Sequence, residues 1–178
     1  MHTSYTWDSQ MVDFGLLVGR LVIGGLFAAH GSQKLFGWFR GHGLRGTAEF
    51  FESLGFHPGR TFAAAAGLTE LASGLLILLG FLGPVGPVRL LSVMIVAVIT
   101  VHWGNGLLAT SNGSELPLLY ATAAVGLALA GPGAYSLDAR LGISAFWSSG
   151  LTWAALAAGV LGGLANVATR RPATPRRA

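Results

Sequence analysis

The chain has 178 residues, of which 52% are hydrophobic and only 10% charged, with a mean hydropathy of +0.61; soluble domains carry about 25% charged residues, so this composition belongs to a protein folded in a bilayer. The net charge of +4 comes from basic residues dispersed around apolar runs and gathered in the tail RRPATPRRA, a pattern that marks membrane topology and contact with anionic lipid, not a nucleic-acid surface. With no cysteine, the chain cannot by itself form a disulfide, run a thiol relay, hold an iron–sulfur cluster or build a thiolate metal site.

The N-terminal segment, residues 1–13, lacks the basic region and small-residue cleavage site of a signal peptide, so the first apolar run is expected to be retained. A hydrocarbon core of roughly 30 Å needs about 20 apolar residues as helix. The first such run is Phe14 to Phe36. Within it Arg20, Phe27, His30 and Lys34 project within about 80° of one another at 100° per residue, a polar stripe on one face. Gly24 and Gly31 fall on the same side, where a neighbouring helix or a flat ligand can come close. Arg20 and Lys34 lie about 21 Å apart along the axis, so both are also able to snorkel toward opposite interfaces, with Trp38 as a belt aromatic.

The connection from Arg40 to Arg60 contains TAEFFESLGF. Thr47 is expected to cap a short helix that lays Phe50, Phe51 and Leu54 on the membrane surface or over the mouth of the bundle. The second span, Thr61 to Leu82, carries Glu70 close to the bilayer centre. A carboxylate there is costly against lipid, so it should face inward and find a partner among Arg20, His30 and Lys34, functional or merely locking helices. An idealised hairpin puts it level with Phe27, near His30.

GPVGPV separates the second span from the third, Val88 to Leu108, which ends in VHWGNG with His102 and Asn105. These residues either close a helix or form a second polar wall opposite His30. Two imidazoles without thiolates or a carboxylate pair are a weak ligand set, so no metal site is assigned. The fourth span, Leu116 to Ala130, is short, with Pro117 in its first turn and Tyr120 facing inward or anchoring at the headgroups. Asp138 reads as a loop or cap residue. The fifth span is Leu151 to Ala168. With five crossings, Lys34, Arg40, Arg45 and Arg60 share a side with Arg170, Arg171, Arg176 and Arg177. The positive-inside rule then puts the C-terminus in the cytoplasm and the N-terminus outside.

No GxSxG elbow, P-loop, dinucleotide fingerprint or HExxH helix is present. The segments GRLVIGGLFAAHGSQKLFGWF, GLTELASGLLILLG, VHWGNG, ELPLLYATAA and GPGAYSLDARLG occur in that order from Leu16 to Gly142. In this, the chain resembles the DoxX family of small bacterial integral membrane proteins. The resemblance implies an all-α polytopic bundle in the inner membrane, with a four-helix DoxX-like core over residues 14–142. A fifth helix over 143–169 and the basic tail 170–178 are additions to that pattern, and a four-helix member with both ends inside would place the first connection outside.

Family relatives are linked to a quinone-reducing thiosulfate oxidoreductase and to a membrane oxidoreductase complex with superoxide dismutase and a sulfurtransferase, so the resemblance implies a subunit of a redox system. Carried onto this chain, the resemblance gives Arg20, His30, Lys34, Glu70, His102 and Asn105; with Phe27 from the face of the first span these are the expected binding residues, and His30 and Glu70 are the candidates for proton chemistry. The expected ligand is a quinone or another small apolar molecule between helices, and no covalent cofactor is expected. A non-enzymatic scaffold is the alternative, and a small transporter would need a water path that the apolar third and fifth spans supply only on self-association.

Overall fold

The structure, a computed structural model, describes residues 8–171, so Arg176 and Arg177 of the basic tail lie outside the described residues. Helix α1 (Ser9–Phe36) begins earlier than the apolar run because Asp8 caps it, its carboxylate accepting from Gln10 N at 3.0 Å. It stops at Gly37, whose left-handed backbone (φ 75°) directs its N–H to Gln33 O. Helix α2 (Gly43–Ser53) crosses that end of the bundle. Thr47 is not its cap. The helix starts four residues before the expected TAEFFES segment, following His42, and Thr47 sits buried inside it with its hydroxyl donating to Lys34 O at 3.4 Å. That bond tethers α2 to the end of α1.

Helix α3 (Gly59–Leu79) returns across the bilayer, and α4 (Val85–Ala97) follows a tight hairpin. α4 continues through a π-helical turn at Val98–His102 and a 3-10 turn at Trp103–Asn105. Helices α5 (Glu115–Ala130), α6 (Leu137–Leu141) and α7 (Ser149–Ala168) follow. Among the described residues four helices are long and apolar enough to cross a membrane, and α5 is a shorter apolar helix. Large apolar side chains such as Val22, Leu26, Leu68, Leu75 and Leu161 point outward. In water such a surface would be a liability; against lipid tails it is the expected exterior.

Backbone contact, not side-chain bulk, joins α1 to α3. A Cβ on Gly24 would fall 2.6 Å from Leu78 N and 2.7 Å from Gly74 O, and one on Gly31 would fall 2.7 Å from Gly67 O. Glycine at both levels on both helices lets the backbones approach where lipid gives no hydrophobic force between them. A parallel contact holds α7 to α4, where Gly159 meets Val88 and Gly163 meets Ser92. Phe27, Leu90, Met94 and Ala124 close the core between these layers.

The two ends of the bundle differ. At the first, the α3–α4 hairpin is clasped by Asp138, which is fully buried and accepts the N–H groups of Leu82 at 2.9 Å and Gly83 at 2.7 Å. Asp138 therefore lies within a short helix capped by Ser136, and its carboxylate serves a different loop. At the other end the residues that follow α7 return to the first connection. Arg171 N donates to Gly55 O and Arg170 Nε to Leu54 O, both at 2.8 Å, with the guanidinium 5.9 Å over the Phe56 ring. The basic residues of the first connection and of the α7 terminus thus share one end.

Candidate functional site

The glycine register decides who meets Glu70. Because Gly31 abuts Leu71 and Gly67, Glu70 lies level with the Gly31–Ser32 turn of α1, more than a helical turn beyond Phe27. The idealised hairpin misplaces it because α2 intervenes between α1 and α3, so the two helices are not joined by a minimal turn. At the observed level the partner is Lys34, whose Nζ donates to Glu70 Oε2 at 2.6 Å. Glu70 is almost fully buried, while the lysine side chain is 28% exposed. The buried member supplies the charge that must be compensated, and the lysine stem reaches it from the wall of a cavity.

That cavity has a volume of 460 Å³ and is lined by Phe27, His30 and Lys34 from α1, Glu70 and Thr69 from α3, Thr100 and His102 from α4, and Tyr120 from α5. Phe50, Phe51 and Leu54 of α2 roof it, as the amphipathic character of that helix suggests, and Phe51, Phe56 and Phe62 continue the aromatic wall with centroids 5.6 and 5.1 Å apart. Tyr120 stands between Phe27 and His30, with ring centroids at 6.3 and 6.2 Å and the imidazole edge-on. Most of the wall is apolar, and the polar groups converge from α1, α3 and the wide turn of α4. An extra residue in a π turn re-aims those that follow; here His102, from that turn, joins the wall, its Nδ1 within 2.7 Å of Asn112 O.

Not every residue of the α1 stripe belongs here. Arg20 is buried at the level of the α3–α4 hairpin, where Nη2 donates to Tyr135 O at 2.6 Å while Nε and Nη1 have no partner among the described residues. Its guanidinium packs against Gly80 at the C-terminus of α3, the negative end of that helix dipole. The stripe is real, but the axial distance divides it into two places. Asn105 also stands apart, exposed and bonded to Val101 O and Asn112 O as part of the loop. His30 does not bond Glu70; its Nδ1 meets Gln33 Oε1 at 3.1 Å. Gln33 is not among the residues expected at the site, although its spacing of three from His30 puts the two on one side of α1. A second cavity of 390 Å³ at the other end, beneath Trp147 and Trp153, is lined by no titratable side chain.

Among the described residues no group of three His, Cys, Asp or Glu side chains comes together to hold a metal. The fold and its exterior define an all-α polytopic membrane protein. A sequence profile of the DoxX family matches residues 15–103, half of the chain, and the protein belongs to the DoxX family. The match runs from within α1 through α4 and its π turn, and so includes every residue named for the first cavity except Tyr120 of α5. No curated protein and no solved structure matches the chain.

Proposed function

We propose that the cavity binds a membrane quinone or a similar flat apolar ring bearing oxygen atoms, and that the protein is the membrane subunit of a redox system. The observation that carries this reading is the Lys34–Glu70 pair set in the wall of an otherwise apolar, aromatic cavity. A volume of 460 Å³ falls within the roughly 300–1,000 Å³ of small-molecule sites, which combine apolar walls with a few placed polar groups. Phe27, Tyr120 and Phe62 offer ring faces and edges, and Lys34 Nζ has donors beyond the one given to Glu70.

A quinone, when bound, supplies two-electron, two-proton chemistry. The protein's part is orientation and proton handling. Lys34 donates to a ring oxygen, Glu70 fixes the ammonium in place, and His30, exposed at the edge of the cavity, exchanges protons with the interface. Without cysteine the chain has no thiol or cluster of its own, so electrons come from a partner subunit. Superoxide dismutase and sulfurtransferase components are the partners that the family resemblance suggests. The shared basic end formed by the first connection and Arg170–Arg171 supports placing the α7 terminus in the cytoplasm of a bacterial inner membrane.

The scaffold reading draws on one observation, that the ion pair joins the same two helices as the glycine contacts. Those glycines already bring the backbones together, so the ion pair is not needed to lock them. The test is equilibrium binding of a short-tailed quinone to the protein in lipid nanodiscs. Saturable binding to the wild type, weakened at least about tenfold in Ala97→Phe, which fills the cavity, and in Lys34→Met, supports the proposal. Equal uptake by all three proteins would reject it.

A further inference from the structure

His30 at the edge of the cavity is held by a residue that the proposed site does not otherwise use. Gln33, one turn further along α1, donates from Nε2 to Phe39 O at 3.2 Å and turns Oε1 toward His30 Nδ1 at 3.1 Å. The backbone carbonyl of Phe39 can only accept, so the amide nitrogen must face it and the amide oxygen must face His30. An amide oxygen also only accepts. The proton shared by that pair therefore resides on Nδ1, and the neutral ring keeps its lone pair on Nε2.

The Phe39 carbonyl is itself fixed. Phe39 and Arg40 both adopt left-handed backbone (φ 51° and 63°), a costly conformation for residues with a Cβ, and the turn they form folds back on α1. Gly41 makes the fold-back feasible, since a Cβ there would fall 2.6 Å from both Cα and Cβ of Gln33. Turn, glutamine and histidine form one chain of constraint from the end of α1 into the cavity wall.

We infer that Gln33 is a positioning residue that fixes His30 as its Nδ1–H tautomer, so that the imidazole meets a cavity ligand as a hydrogen-bond acceptor. This rests on the cavity being a ligand site. The other ionisable groups on that wall are Lys34, Glu70, Tyr120 and His102, the last with its Nδ1 already held by Asn112 O. Lys34 is a donor only, so the two neighbouring α1 side chains present opposite polarities. A ring with a hydroxyl satisfies both, giving its O–H to His30 Nε2 and accepting from Lys34. A fully oxidised quinone has acceptors alone and leaves the Nε2 lone pair unmatched. The site therefore favours a hydroquinone or phenol over the corresponding quinone, and a proton leaving that hydroxyl is received on Nε2, giving an imidazolium whose Nδ1–H still faces Gln33.

The test is solid-state NMR of the full chain in lipid bilayers with ¹⁵N-labelled histidine, the His30 signals being assigned by their loss in His30→Asn. The wild type is expected to show a protonated Nδ1 and an unprotonated Nε2. Gln33→Leu should move the proton toward Nε2, and Gly41→Ala should do the same with the glutamine still present. In parallel, Gln33→Leu should weaken binding of a short-tailed hydroquinone about five- to tenfold while leaving the matching quinone within twofold. A wild-type His30 protonated on Nε2, or a tautomer indifferent to Gln33→Leu, would overturn the inference. Should the tautomer follow Gln33 as stated while neither ring compound binds the wild type, the positioning role stands and the proposed function falls.

Discussion

Lys34 Nζ lies 2.6 Å from Glu70 Oε2 across the α1–α3 interface, with the carboxylate buried and the lysine only partly so. That asymmetry makes the two ends of the pair unequal under mutation. Lys34→Met leaves a carboxylate buried without compensation and should destabilise the protein by about 3 kcal/mol. Glu70→Gln leaves an ammonium able to reach the interface and should cost only about 1 kcal/mol. Thermal unfolding in detergent, with the double variant closing the cycle, checks the order; equal losses from both single variants would deny the asymmetry.

Glycine at the α1–α3 contact has no room for a methyl group. Gly31→Ala should lower stability by about 2 kcal/mol, because the intruding Cβ meets backbone that cannot rotate away. Gly25→Ala is the internal control, since nothing lies within 4 Å of a Cβ there. It should be neutral or stabilise by up to ~1 kcal/mol through helix propensity.

Asp138 should behave as a clasp and not as a surface acid. Asp138→Ala leaves the Leu82 and Gly83 N–H groups without acceptors and is expected to cost about 2–3 kcal/mol, with Asp138→Asn recovering roughly half. The same variants should leave ligand binding intact in whatever protein folds, because the clasp sits at the end of the bundle away from the cavity. Unfolding midpoints and nanodisc binding on one preparation measure both.

The terminus of α7 holds the edge of the cavity roof. Arg170→Ala removes a bond to Leu54 O and the contact with Phe56. Amide exchange at Arg171, whose N–H is held by Gly55 O, should accelerate about fivefold if the contact contributes ~1 kcal/mol. Exchange at the α4 core residues Leu90 and Leu91 should not change.

Hydropathy made the five apolar helices legible, because each is bounded by turn-forming residues and a bilayer tolerates little else. Its limits were positional. Side-chain angles on α1 correctly grouped Arg20, Phe27, His30 and Lys34, yet angle says nothing about which neighbour lies at each depth. That depth is set by the glycine contacts, and they become readable only once Gly24 and Gly31 are paired with Gly74 and Gly67. Glu70 was recognisable as a buried acid for the reason that holds in the structure, that a charge at mid-membrane needs a partner, whereas the choice of Lys34 over His30 followed from register.

Other features had no sequence signal of their own. The π turn at Val98–His102 interrupts a run that reads as uniform helix. Thr47 has the composition of a cap and is instead an interior tether, since Gly43, at φ 64°, lets α2 begin earlier. Asp138 reads as local, and its partners lie 56 and 55 residues away. The spacing of Gln33 from His30 is visible in the sequence, but its role depends on a left-handed turn at two non-glycine residues, which is not.

The central claim, a ring-binding site beside Lys34 and Glu70, is tested most directly by photo-crosslinking an azidoquinone to the protein in native lipid and mapping the adducts by mass spectrometry. Adducts on the segments carrying Phe27 to Lys34, Ala65 to Glu70 and Met94 to His102, suppressed by excess unreactive quinone and lost in Ala97→Phe, are the predicted result. Adducts on outward residues such as Val22 and Leu161, with the same yield whether or not competitor is present, would contradict it.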